Sequence, residues 1–384
     1  MNISKNEWMI EDYFDLTSPV IGVKADVTPL ALMSGELSEE LLELNDYSLP
    51  LDLWDRILLN PTRMFLSTPG KSLRRDFVQL GWRLAWMIKR ERASTDESEE
   101  IPPCPDALIA LIEILHNGSL IIDDIEDESE TRRGQPCLHR KIGVAAALNI
   151  GNWLYFVAAS MVDRLDCDER VRGTLHRTLT RVMLRCHQGQ ALDLSCRVTE
   201  VNREQIKEFT EVSTRLKSGV LVGFAMQLGS IYHDLTTEDN ATLYRFGEQI
   251  GLSLQMYDDL SGIKNPKRWY KGLEDLSRAR LTWVWSWLAD NSEVSAQDFR
   301  VMMQRLKEIS ESGFNPQSDE PQCLNVRREA QKLRDMCLIW LNAAPQHISE
   351  NIDLAIDRLA EYLDHPRLIT YAHHAVVKLK SSYL

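Results

Sequence analysis

Apolar residues recur at three- and four-residue spacing in ten stretches of this chain: 72–90, 106–126, 142–164, 171–191, 204–234, 240–262, 277–289, 298–310, 325–343 and 351–362. That period marks one buried face of a helix. No run alternates in the two-residue rhythm of a strand. Helices packed on helices are the consequence, and a large all-α helical bundle around a central cavity is the expected architecture. Two polar, proline-containing stretches, 91–105 and 311–322, interrupt the pattern and read as exposed loops. Residues 1–50 have weak periodicity and are set apart as an N-terminal extension to one domain over 51–384. With 384 residues, 44% of them hydrophobic, the material for such a core is ample.

The net charge of −13 argues against nucleic acid or an anionic membrane surface as a partner. No apolar run approaches the roughly 18–20 residues of a membrane span, so integral membrane association is not expected. Seven cysteines, an odd number with no C-x-x-C, indicate a reduced, cytoplasmic compartment with free thiols. The polar, acidic start, Met1–Tyr13, lacks the make-up of a secretory signal. An anionic substrate on so acidic a chain needs metal ions or local arginines to hold it.

Residues 119–139 supply both. Asp123, Asp124 and Asp127 continue an apolar helical run, and on a helix positions i and i+4 share a face. Carboxylates crowded this way repel one another unless a cation sits between them. Hard divalent cations such as Mg²⁺ take oxygen ligands and usually share them with substrate phosphates. Arg132 and Arg133 follow, with guanidinium forks that suit phosphate oxygens. A second group, Gln255, Asp258 and Asp259, repeats the acidic spacing on another helix. Two such clusters facing each other can hold several Mg²⁺ ions around one diphosphate, promoting its departure.

Basic and polar side chains are placed to close such a site: Lys217, Lys271 and Arg280, with Gln190 and Asp193 sharing a helical face. Upstream, Gly70-Lys71-x-x-Arg74 opens a helix, where backbone amides and two cations suit a second anion. His116 lies two turns before Asp123 on the same face. Gly118 and Ser119 are small and would leave a deep tunnel beside the aspartates. Trp283 and Trp287, three and seven residues after Arg280, would share its face on one helix and line the apolar end of the cavity.

Together these segments resemble the trans-isoprenyl diphosphate synthases, near the eukaryotic geranylgeranyl diphosphate synthases. The matches are Gly70-Lys71-x-x-Arg74, His116 through Asp127, Arg132-Arg133-Gly134, Gly189-Gln190-x-x-Asp193, Lys217-x-Gly219, Gln255-x-x-Asp258-Asp259 and Lys271-Gly272-x-x-Asp275. The resemblance implies the isoprenoid synthase fold, a cluster of three Mg²⁺ ions, a prenyl diphosphate substrate and a homodimer. By that resemblance Asp123, Asp124, Asp127, Asp258 and Asp259 serve the metals. Arg132, Lys217, Gln255 and Lys271 contact the allylic diphosphate, and Lys71, Arg74, His116 and Arg133 match the isopentenyl diphosphate site.

The chain also departs from that pattern. After Asp259 come Leu260, Ser261 and Gly262 where the family has an aromatic residue and then another polar ligand. Tyr257 stands where arginine is common, and the segment before Lys271 is shortened. These departures, with the tryptophans, favour a class I terpene cyclase that ionises farnesyl diphosphate and closes it to a sesquiterpene hydrocarbon. The alternative is a chain-elongating prenyltransferase that condenses isopentenyl diphosphate with an allylic diphosphate.

Overall fold

A computed structural model describes residues 51–68, 73–93, 100–316 and 321–363, with short pieces at 369–370, 372–373 and 376–377. The extension 1–50 lies outside the described residues. The chain enters through α1 (Leu51–Trp54), a π-helical turn at Asp55–Leu59 and α2 (Asn60–Leu66). The long helices follow: α3 (Leu73–Ala93), α4 (Asp106–Glu126), and, after a hairpin and the short α5 (Leu138–Ile142), α6 (Val144–Ser160) and α7 (Glu169–Ser195). Then come α8 (Arg203–Thr214), α9 (Val220–Tyr232), α10 (Thr237–Lys264), α11 (Trp269–Ser277) and α12 (Trp283–Asp290). The described chain closes with α13 (Ala296–Glu311), α14 (Pro321–Ile339) and α15 (Ala344–Leu363). All-helical packing is thus observed, and no described helix is long and apolar enough to cross a membrane. All seven cysteines are free.

Helix α9 is apolar on nearly every side, which is why it is buried along almost its whole length. It packs against α3 and α10. Close approach there depends on missing side chains: a Cβ on Gly81 would strike the Met226 backbone, and one on Gly229 the backbone of Trp82. Helix α10 starts with a reciprocal cap, in which the Asp239 amide donates to Thr236 Oγ1 at 3.2 Å and the Thr236 amide to Asp239 Oδ2 at 3.1 Å. The buried Asp239 also takes the Arg92 guanidinium in bidentate fashion and the Tyr362 hydroxyl, tying α3, α10 and α15 together.

Three sequence expectations are corrected here. First, the period over 204–234 is two helices joined by a π-helical turn, Arg215–Gly219, which re-aims Lys217. Second, 277–289 is not one helix. Ala279 has φ 47°, a left-handed conformation that stops α11, and α12 begins only at Trp283. Third, two two-residue strands, Thr131–Arg132 and Gln135–Pro136, pair in antiparallel register after α4. Arg133 (φ 52°) and Gly134 (φ 75°) form their turn, the positive-φ pair that a tight hairpin needs.

Candidate active site

The segment 278–283 touches the C-terminal parts of both α4, through Arg278 and Arg280 on Asp127, and α10, through the Trp283 amide on Asp259, and both parts carry aspartates. A helix C-terminus bears partial negative charge, so carboxylates there require cations. The chain supplies them from four elements and adds a neutral amide from a fifth. The hairpin turns Arg132 back onto α4, where its Nε donates to Asp124 Oδ1 at 2.7 Å and its guanidinium lies 3.4 Å from Asp123. From the π-helical turn, Lys217 Nζ reaches Asp123 Oδ1 at 3.1 Å and Asp193 Oδ2 at 2.6 Å. This approach depends on Gly189, because a Cβ there would collide with the Lys217 backbone. Gln190 Nε2 donates to Asp123 Oδ1 at 3.2 Å and to Glu126 Oε2 at 2.7 Å. From the loop after α11, Arg278 and Arg280 both grip Asp127, and Arg280 also lies 3.5 Å from Asp193. Lys271 on α11 pairs with Asp258.

Charge and burial act against each other in this cluster. Burial disfavours the Asp123 carboxylate, but Lys217, Arg132 and Arg280 outweigh it and hold its carboxyl below the usual range. Burial likewise works against the Lys217 ammonium, yet Asp123 and Asp193 raise it above its ordinary value. Lys271 is pulled down by burial despite Asp275. Asp259 is pushed up to about 7 by burial and by Asp275.

The aspartates divide into different roles. Asp123 and Asp127 reach the basic ring. Asp124, one residue along, is turned into the wall: it is 1% exposed and held by Arg132, its Oδ2 is buried without a hydrogen-bond partner, and burial raises its carboxyl. On α10, Asp258 Oδ1 accepts from Arg268 at 2.7 Å and Oδ2 from Lys271. Asp259 Oδ1 accepts from Gln255 Nε2 at 2.9 Å, and its Oδ2 accepts the Trp283 amide at 2.8 Å. That amide is one of the unpaired donors that open α12, so Asp259 caps a neighbouring helix. Gln255 also accepts the Ser218 hydroxyl at 3.1 Å, linking α10 to the π-helical turn.

The upstream cluster is partly visible. Lys71 lies outside the described residues. Burial, together with the charges of Arg74, Arg132 and Arg133, drives the His116 imidazole well below its ordinary range. Arg133 also donates to the Thr68 carbonyl at 2.7 Å. The Arg75 amide near the start of α3 is taken by Glu113 at 3.1 Å. A small pocket opens beside this cluster, lined among others by Phe65, Thr68, Arg132, Arg133 and Lys141.

Other expectations about the cavity wall change. Gly118 faces α6, where a Cβ would lie 3.0 Å from the Gly151 carbonyl, so its smallness serves helix packing rather than a tunnel. The Ser119 hydroxyl donates back to the His116 carbonyl at 2.7 Å. Because α11 stops before Arg280, Trp283 and Trp287 do not continue its face. Their rings pack tilted against each other, Trp283 stacks on His347, and the Trp287 indole donates to the Trp340 carbonyl at 2.9 Å, which is packing of the C-terminal helices. Arg268 and Arg278 bind the aspartates directly and were not singled out by sequence pattern. The signal available for Arg268 was the shortened segment that brings it next to Asp258.

The residues at the α4 end fit a hard cation. Mg²⁺ takes carboxylate oxygens, Asp123 and Asp127 share one helical face, and Asp127 Oδ2 has no partner among the described residues. Among the described residues no three His, Cys, Asp or Glu side chains already converge as a metal cluster.

The chain is similar to several known proteins. A family model described as polyprenyl synthetase matches residues 55–315. A geranylgeranyl pyrophosphate synthase of Aspergillus flavus is 27% identical over 266 residues, 68% of this chain and 71% of that one. One of Apiospora sacchari is 29% identical over 210 residues, 55% of this chain and 56% of that one. A short chain isoprenyl diphosphate synthase of Methanocaldococcus jannaschii is 28% identical over 206 residues, 54% of this chain and 58% of that one. The match thus spans little more than half the length of the latter two relatives. Among solved structures, a geranylgeranyl pyrophosphate synthetase of Pyrococcus horikoshii superposes with TM-score 0.64 at 20% identity, over 91% of this chain and 95% of that one. Farnesyl diphosphate synthase of T. brucei gives 0.67 at 18%, over 91% and 98%. These likenesses establish the all-helical isoprenoid synthase fold, and with a family match across most of its length the chain belongs to the polyprenyl synthetase family.

Proposed function

We propose that this chain condenses isopentenyl diphosphate with an allylic prenyl diphosphate, lengthening the prenyl chain. The observation that carries the reading is that the charges of Arg74, Arg132 and Arg133 all act on the buried His116, two helical turns from Asp123. Positive charge gathered at one spot favours a bound anion. A second diphosphate is such an anion, and chain elongation needs one where cyclisation does not. The curated relatives named above are synthases of prenyl diphosphates, which supports the same reading.

In this proposal Asp123 and Asp127 hold Mg²⁺, which when bound neutralises the diphosphate as it leaves. Lys217, Lys271 and Arg280 add fixed positive charge on the same side, placed before the reaction begins. Asp193 orients two of them, Lys217 and Arg280. Arg132, fixed by Asp124, stands between the two anion sites. The isopentenyl double bond then attacks the allylic cation, the new carbon–carbon bond forms, and the adduct loses one proton. The catalytic domain is 51–384. The proposed partner is a second copy of this chain, supported by exposed Val144, Leu148 and Phe156 on α6 and Leu184 on α7.

The second aspartate pair favours a second reading, the cyclisation of farnesyl diphosphate to a sesquiterpene hydrocarbon. Its acids are engaged by Arg268, Lys271, Gln255 and the Trp283 amide, unlike the repeated metal-binding pattern that the family resemblance implies. Product analysis by gas chromatography–mass spectrometry separates the two. The protein is incubated with Mg²⁺ and farnesyl diphosphate, with and without isopentenyl diphosphate. A longer prenyl diphosphate formed only with isopentenyl diphosphate is the expected result; a volatile hydrocarbon formed without it makes the chain a cyclase.

A further inference from the structure

We infer that the α10 aspartates are not a metal site, and that Arg268 and Lys271 are built-in cations standing on Asp258 in place of one. This rests on the prenyl diphosphate reading and refines it, because it assigns the metal to the α4 aspartates alone.

The two aspartate clusters differ in how many oxygens remain to be used. On α10 all four carboxylate oxygens have a donor: Arg268 and Lys271 on Asp258, Gln255 and the Trp283 amide on Asp259. Arg268 does more than pair with Asp258, since its guanidinium also donates to the Ser261 hydroxyl, one turn along from Asp258. One fork therefore spans an aspartate and the serine next to Gly262, the position where the family resemblance places a further polar ligand. The serine is itself satisfied, donating to the Asp258 carbonyl at 2.8 Å. The fork gets there because Asn265 ends α10 and starts a tight turn, its side chain accepting the Lys267 amide at 3.0 Å.

To coordinate an ion, Asp258 would have to shed a charge-assisted pair, among the stronger hydrogen bonds a protein makes. Asp259 would have to uncap α12 and leave the Trp283 amide buried without an acceptor, an unfavourable state. On α4 the position is reversed. The contacts to Asp123 are long, 3.1 to 3.4 Å, and Asp127 keeps one oxygen without a partner among the described residues.

The test counts ions rather than turnovers. Bound Mn²⁺ is measured by electron paramagnetic resonance in the presence of inorganic pyrophosphate. Asp258→Asn is expected to bind as many ions as the unaltered protein, and Asp123→Asn at least one fewer. Loss of an ion in Asp258→Asn, with the fold intact by circular dichroism, overturns the inference. The double variant Ser261→Asp with Arg268→Gln adds an acid one turn from Asp258 and removes the fork, so it is expected to gain about one ion. A double variant that gains none also overturns the assignment of Arg268. An unaltered protein that takes up no Mn²⁺ with pyrophosphate overturns the prenyl diphosphate reading, and this inference with it.

Discussion

Along α3, α9 and α10 the bundle is held by glycines and apolar side chains pressed backbone to backbone. At the ends of α4 and α10 it is held by arginines and lysines on aspartates. The apolar middle fixes distance: Gly81 against Met226 and Gly229 against Trp82 leave no room for even a methyl group. The charged end fixes sign but not distance, since Lys217 and Arg280 share Asp193 and each also reaches a second carboxylate. Such pairs can exchange one anion for another, which a close-packed core cannot do. The difference shows how a single fold keeps a rigid frame and still leaves its charged end able to exchange partners.

That contrast implies that changes at the charged end cost activity, while changes in the middle cost stability. The largest effect expected is from Asp123→Asn, which lowers kcat about 10³-fold with little change in the urea midpoint. An equally large loss of stability would break the distinction. His233 tests the apolar side through pH. Its ring packs against Trp82, Trp86 and Tyr232, and burial with Lys89 nearby lowers its imidazole to about 4. The unfolded chain takes up this proton first as pH falls below about 6.5. Stability is thus complete above that pH and declines by about 3 kcal/mol on the way to pH 4. Urea titrations at pH 7 and 4.5 should show that His233→Phe narrows the difference; an unchanged difference would assign the acid sensitivity elsewhere.

Gly81→Ala should cost about 2 kcal/mol in urea unfolding by forcing α3 from α9, with KM for the allylic substrate unchanged. The smallest effect, and the one that sharpens the functional assignment, is Arg74→Ala. It should raise KM for isopentenyl diphosphate about ten-fold, as loss of one charge-assisted contact does, and leave KM for the allylic diphosphate as it was. Equal increases in both would remove the separate second anion site.

The sequence made the helices legible because a buried face repeats every few residues along each of them. It also brought Asp123, Asp127, Lys217, Lys271 and Arg280 into view as one charge cluster. Periodicity does not say which of two adjacent aspartates enters the cavity, and Asp124, about 100° around the helix from Asp123, went into the wall. It cannot reveal a left-handed residue such as Ala279, whose φ of 47° ended the helix that was to carry Trp283 and Trp287 into the cavity. Gly118 illustrates the same limit: a small residue leaves space on one face, and here that face belongs to α6. Arg268 was hidden because its partner is reached across a tight turn rather than along a helix.

The measurement that bears most directly on the central claim is pyrophosphate release from geranyl, farnesyl and geranylgeranyl diphosphates, each with and without Mg²⁺ and with and without isopentenyl diphosphate. Release that requires both Mg²⁺ and isopentenyl diphosphate is the expected result. Release that persists under a chelator, or that proceeds at full rate without isopentenyl diphosphate, would contradict metal-assisted condensation at the α4 aspartates.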